Sequence, residues 1–166
     1  MKLVKIALCC ALAGCSSYTT APPLTPVVTR DSPIPPDVAR VCVVRTSALA
    51  MAVAFPTKDN GVLVGATKGP TYFCYYAAPG PHRITMIADN ETAAVLTAEA
   101  GRAYILHQQV DFLFGVVRVR PVWVTPDRAG ELFEHSDYEV LTSVPGTEKL
   151  PDDGVVAAAM PSEMSR

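Results

Sequence analysis

The chain has 166 residues, 49% of them hydrophobic and 18% charged, with 15 Pro, 10 Gly and a single Trp. Charge is too sparse for a disordered polyelectrolyte, no glycine recurs at every third position as in collagen, and no apolar run reaches the roughly 18 residues of a spanning helix. A net charge of −2 offers no basic field to a phosphate backbone, which argues against nucleic-acid binding and leaves one compact domain with tails as the expectation.

At the N-terminus, Lys2 and Lys5 form a short basic region, Ile6 to Leu12 an apolar stretch holding Cys9 and Cys10, and Leu12-Ala13-Gly14-Cys15 closes it. This is the pattern of a signal peptide over residues 1–14, too short to remain in a bilayer as a helix, with small residues where a peptidase needs extended backbone. The closing string resembles the lipobox of bacterial lipoproteins. The resemblance implies that the Cys15 thiol is joined to diacylglycerol, that cleavage makes Cys15 the first mature residue, and that its new amine is acylated. The plainer alternative is a secretory peptide with a chance cysteine. Fatty chains such as palmitate anchor at about 0.8 kcal/mol per buried methylene. Ser16 in place of Asp favours, by the same resemblance, the periplasmic face of the outer membrane. Loss of Lys2 and Lys5 with the leader moves the net charge from −2 to −4.

Residues 15–36 carry Pro22, Pro23, Pro26, Pro33, Pro35 and Pro36 among Ser and Thr. That composition blocks helix and central strand and predicts a polyproline II tether of up to roughly 60 Å, with an irregular edge strand as the alternative near Pro33 to Pro36. Residues 37–142 are β in character. Short runs rich in β-branched and aromatic residues fall at 41–45, 51–55, 62–64, 71–76, 83–87, 94–98, 104–110 and 116–124, and Asp59-Asn60-Gly61, Gly69-Pro70, Pro79-Gly80-Pro81, Asp89-Asn90 and Ala100-Gly101 punctuate them. Such spacing predicts a mainly β fold, an antiparallel β-sandwich of about seven or eight strands. Ile84 and Met86 alternate with Arg83 and Thr85, and Val117, Val119 and Trp123 with Arg118 and Arg120, so one face of those strands is core. Thr125, Pro126 and Asp127 open one short C-terminal helix, with Leu132 and Phe133 as its apolar contacts and a short strand near 138–141 after it. Residues 143–166, with Gly, Pro, Asp and Ser and no periodic apolar face, read as a disordered tail.

With Cys9 and Cys10 in the leader and Cys15 lipidated, Cys42 and Cys74 remain as thiols in an oxidising compartment. A disulfide closing a loop of about 30 residues is one expectation and two buried free cysteines the other. His82, His107 and His135 are scattered without metal-ligand spacing, and no cofactor-binding motif follows Gly61, Gly65 or Gly69, so neither a metal nor a cofactor is expected. His107 and Asp111 share a strand, yet no nucleophile elbow accompanies them. Two features invite a binding reading. Tyr72, Tyr75 and Tyr76 offer aromatic faces suited to sugars or peptides, against simple core packing. Phe112, Leu113 and Phe114 surround a turn, either as an exposed tip touching membrane or partner or, as the favoured account, tucked in to cap the core.

Ala39-Arg40-Val41-Cys42-Val43-Val44-Arg45, Pro79-Gly80-Pro81-His82, Glu99-Ala100-Gly101-Arg102-Ala103-Tyr104 and Val124-Thr125-Pro126 occur in an order that resembles a family of small bacterial lipoprotein domains of unknown function. The turn at Pro79 to His82 resembles that of PEGA-type sandwiches. The resemblance spans residues 38–142, with Cys42 and Val44 in place of first-strand aromatics and Ile105 in place of a second Tyr. It implies a β-sandwich and an envelope location, and it carries no catalytic residues. The combined expectation is a non-enzymatic binding or accessory module anchored to the membrane through its lipid, with envelope proteins or peptidoglycan as partners. A glycan or peptidoglycan binder is the alternative, and a hydrolase built on His107 or His82 the third reading.

Overall fold

β-branched and aromatic runs between Gly, Pro and Asn turns become strands in the computed structural model of the chain, which describes residues 17–24, 27–146, 150 and 155–158. In chain order these are β1 (Thr19–Ala21), β2 (Ala39–Val44), β3 (Ala54–Asp59), β4 (Val62–Lys68), β5 (Thr71–Ala77), β6 (Gly80–Ile87), β7 (Glu91–Ala98), β8 (Ala103–Leu113) and β9 (Val116–Val124). A helix α1 (Pro126–Glu134) follows, then β10 (Asp137–Tyr138), β11 (Val140–Ser143) and β12 (Val155–Val156).

The mainly β sandwich expected from the sequence is the observed architecture. One sheet runs β10-β5-β2-β8-β9, with β12 also on β5, and the other runs β4-β3-β6-β7. Pairing departs from the antiparallel expectation at β2, which runs parallel to β8, and at β10 and β12, which both lie parallel to β5. β3 starts at Ala54 instead of Met51, because the preceding loop folds around Arg45. Pro56 is tolerated in β3 because pairing with β6 begins only at Thr57, so its missing N–H interrupts no ladder there. Pro121 sits on β9, the edge of its sheet.

Two cores result. Val41, Val43, Phe73, Ile84, Met86 and Leu106 fill the space between the sheets. On the outer face of the larger sheet, Cys42, Val44, Tyr72, Cys74 and Ile105 are covered by Ala129, Leu132 and Phe133 of α1 and by Val28. β2 and β5 are therefore buried on both faces, which explains why neither alternates polar with apolar residues.

The segment expected to be a tether packs on the domain. β1 pairs with β11, Val28 is buried in the outer core, the Tyr76 hydroxyl donates to Pro33 O (2.7 Å), Arg40 Nη1 donates to Ser32 O, and the Arg30 guanidinium lies 5.3 Å from the Phe133 ring centroid. Proline removes donors from this stretch but leaves its carbonyls and valines available, and these find partners remote in sequence. The tail expectation is corrected at 155–158 as well. Val156 is buried in the inter-sheet core, and Asn60 Nδ2 donates to Ala157 O (2.9 Å).

Gly65 shows how tightly the sheets meet. A Cβ built there would lie 2.4 Å from Phe73 Cε2. The expected result for Gly65→Ala is a loss of about 1–3 kcal/mol through displacement of the Phe73 ring, measurable as a lowered urea midpoint.

Candidate functional site

The sequence-predicted residues separate into three groups. Cys15 lies outside the described residues. Cys42 and Cys74 are directly opposite one another in the β2–β5 register, with Cα atoms 4.0 Å apart, and are joined by a disulfide inside the outer core.

The tyrosines do not form a binding surface. Tyr72 is buried edge-on against Phe133 (ring centroids 4.9 Å apart) and beside Tyr138. Tyr75 points the other way, between the sheets, and its hydroxyl donates to Asp59 Oδ2 (3.0 Å). Only Tyr76 is partly accessible, and its hydroxyl is taken by Pro33 O. The aromatic face read from the sequence is corrected because β5 is covered on both sides, by the partner sheet and by α1 with the N-terminal segment.

The Phe112 loop is also corrected, in the opposite direction. It is not tucked in. β2 ends at Val44 opposite His107, whereas β8 continues to Leu113, so the β8–β9 hairpin runs past the end of its neighbour. Leu113 and Val116 close it around Phe114 and Gly115, whose φ values of 51° and 83° make a two-residue turn of the I′ kind. Phe112 is 58% exposed and Phe114 94%. Asn or Gly occupies a left-handed position at little cost, whereas a bulky aromatic there is strained. Phe114 thus carries an apolar ring in water on an unfavourable backbone, with no covering contact among the described residues.

A second apolar loop lies at the same end. Arg45, at the exit of β2, is fully buried and donates from Nε to Ser47 O (3.2 Å), from Nη1 to Val53 O (3.3 Å) and from Nη2 to Leu49 O, with its guanidinium 4.2 Å over the Phe55 ring. Burial pushes its pKa down to about 10, which leaves it charged at neutral pH. The carbonyls wrapped round this cation turn Leu49, Met51 and Val53 outward, all exposed. The two loops meet at a hollow of about 270 Å³ lined by Ala50, Val53, Phe55, Ala88, Val117 and Tyr18. Asp89 fixes the hairpin base there by accepting from Val117 N (2.8 Å).

The histidines fall elsewhere. His82 is fully enclosed, its Nδ1 2.8 Å from Asp59 Oδ2 and its Nε2 2.8 Å from Ala78 O. Both ring nitrogens face acceptors, so the imidazolium donates from each. His107 lines a shallow groove with Thr125, Arg128 and Glu131, its Nε2 is 3.4 Å from Thr46 Oγ1, and burial lowers its pKa. His135 Nδ1 faces Glu131 O at the helix end. Among the described residues, no cluster of His, Cys, Asp and Glu is arranged to hold a metal ion, and no helix is long and apolar enough to cross a membrane.

Sequence reasoning missed the Arg45 hub and the Asp59–His82–Tyr75 cluster. Asp59 and His82 each stand beside turn residues, where a polar side chain normally reads as solvated. The available signal was the His directly after Pro79-Gly80-Pro81, in a strand whose next inward residues are Ile84 and Met86. Comparison with protein-family models, curated proteins and solved structures finds no match to this chain.

Proposed function

We propose that the chain is a lipid-anchored protein of the bacterial cell envelope, held through Cys15 and acting as a non-enzymatic binding or accessory module. The observation that supports this most is the pairing of a buried Cys42–Cys74 disulfide, the chemistry of an oxidising compartment, with a leader that ends in Leu-Ala-Gly-Cys. The resemblance to small lipoprotein domains favours the same assignment. The glycan reading loses the platform on which it stood, since Tyr72 and Tyr75 are buried, and a hydrolase centred on His82 would need a substrate to reach an enclosed ring. The test is metabolic labelling with radioactive palmitate. Label is expected in the wild type, which fractionates with membranes, and none in Cys15→Ser. Equal labelling of both, or none in either, would overturn the assignment.

A further inference from the structure

The two exposed apolar loops and the entry of the N-terminal segment share one end of the sandwich. Tyr18 lines the same hollow as Val53 and Val117, and only Ser16 and Ser17 separate it from Cys15. Three extended Cα steps reach at most about 10 Å. A lipid on Cys15 therefore holds this end, and not the Gly101 end, against the bilayer. The β8–β9 hairpin projects two to three residues, about 8 Å, beyond its anchoring contact at Val117.

We propose that this end is a membrane-docking surface, in which Phe112, Leu113 and Phe114 enter the outer part of a lipid leaflet while Leu49, Met51 and Val53 rest on it. The proposal rests on the acylation of Cys15. A lipid surface fits better than a protein groove because the hairpin is a projecting knob, which a fluid leaflet accepts without a complementary cavity, and because the anchor already places lipid there. Charges around the knob are mixed. Asp111 lies opposite Arg118 in the register, and Arg120 donates to Gln109 (2.7 Å), so insertion is driven by apolar transfer and needs no anionic lipid. The strained aromatic at Phe114 then has a compensating role, since its ring leaves water only when the protein is docked.

The experiment places a tryptophan at the tip. Full-length chain carrying Trp123→Phe and Phe114→Trp is purified from membranes and reconstituted in phosphatidylcholine vesicles containing brominated phosphatidylcholine. A second chain carries Trp123→Phe and Arg102→Trp, at the far end of the sandwich. Intact mass reads acylation independently of fluorescence. The expected result is acylated protein in which the probe at position 114 is quenched at least about threefold more than the probe at 102, with or without phosphatidylglycerol. Equal quenching at the two positions in acylated protein would overturn the docking and leave the anchor standing. Unacylated protein whose tip is still quenched would support docking and overturn the anchor. A tip shielded from water but not quenched, in protein of doubled mass, would assign the surface to a second copy of the chain and overturn the proposal.

Discussion

Asp59→Ala is expected to lower the stability of the protein by about 3–5 kcal/mol, because it strands His82 and Tyr75 without their shared acceptor inside the core. Both Asp59 and His82 are fully buried, so water offers neither a substitute. The same variant should change the dependence of stability on pH. Burial alone would lower the His82 pKa, but the Asp59 hydrogen bond and charge, together with the Ala78 carbonyl, outweigh it and leave the pKa raised. A raised folded value means that the folded state holds the proton more tightly than the unfolded chain. The contribution is therefore complete below the ordinary value of 6.5 and is lost as pH rises through the raised folded value. Urea unfolding across that window should show stability falling with rising pH in the wild type, with the fall largely absent in Asp59→Ala. A parallel slope in both proteins would mean that this pair does not carry the effect.

The disulfide has the second large expected effect. Cys42 and Cys74 are 32 residues apart in sequence, and a loop of that size corresponds to about 3.5 kcal/mol in the chain-entropy model. Replacing both with Ala adds the loss of buried sulfur contacts in the outer core, so the double variant should unfold at distinctly lower urea than the wild type. Mass after denaturing alkylation should show both cysteines protected until a reductant is added. Immediate alkylation of both would contradict the bridge. Because Cys42 lines a hollow with Ala129 and Phe133 of α1, and Cys74 lines one with Val28 of the N-terminal segment and Tyr138, loss of the bridge should first loosen the helix and the N-terminal segment, leaving the inter-sheet core in place.

What the sequence could and could not reveal follows from how far apart the partners lie. The strands and the helix were legible because β-branched runs, turn residues and the Thr125-Pro126 helix start act locally; the extended Thr125 and Pro126 stand where they were expected, although the Thr125 side chain makes no capping bond. The positions of Cys42 and Cys74 in strands were also local, but the register that sets them opposite each other depends on a sheet whose order cannot be read from spacing. Tyr72, Tyr75 and Tyr76 suggest aromatic faces only if the strand has a solvent side, and Tyr72 and Tyr75 instead enter the two cores on its opposite faces. The uncharged run from Thr71 to Ala77 was the clue to burial on both sides. Nothing in the sequence marks Arg45 as buried, because the carbonyls that enclose it come from a loop with no distinctive composition. The proline-rich segment was read as a tether since its partners, β11, Tyr76 and Phe133, are over forty residues away or more. The Phe112 loop was expected to cap the core, and it fails to do so because β8 and β9 outrun the sheet, a length mismatch visible only once β2 is placed beside β8.

The proposed function and the proposed docking both rest on the acylation of Cys15, and the intact mass of the native product from membranes tests it directly. The expected mass is that of a chain starting at Cys15, heavier than its residues by diacylglycerol and an amide-linked acyl group, and lighter by the two hydrogens of the Cys42–Cys74 bridge. A freely soluble product without acyl mass, starting at another residue or keeping its leader, would contradict it.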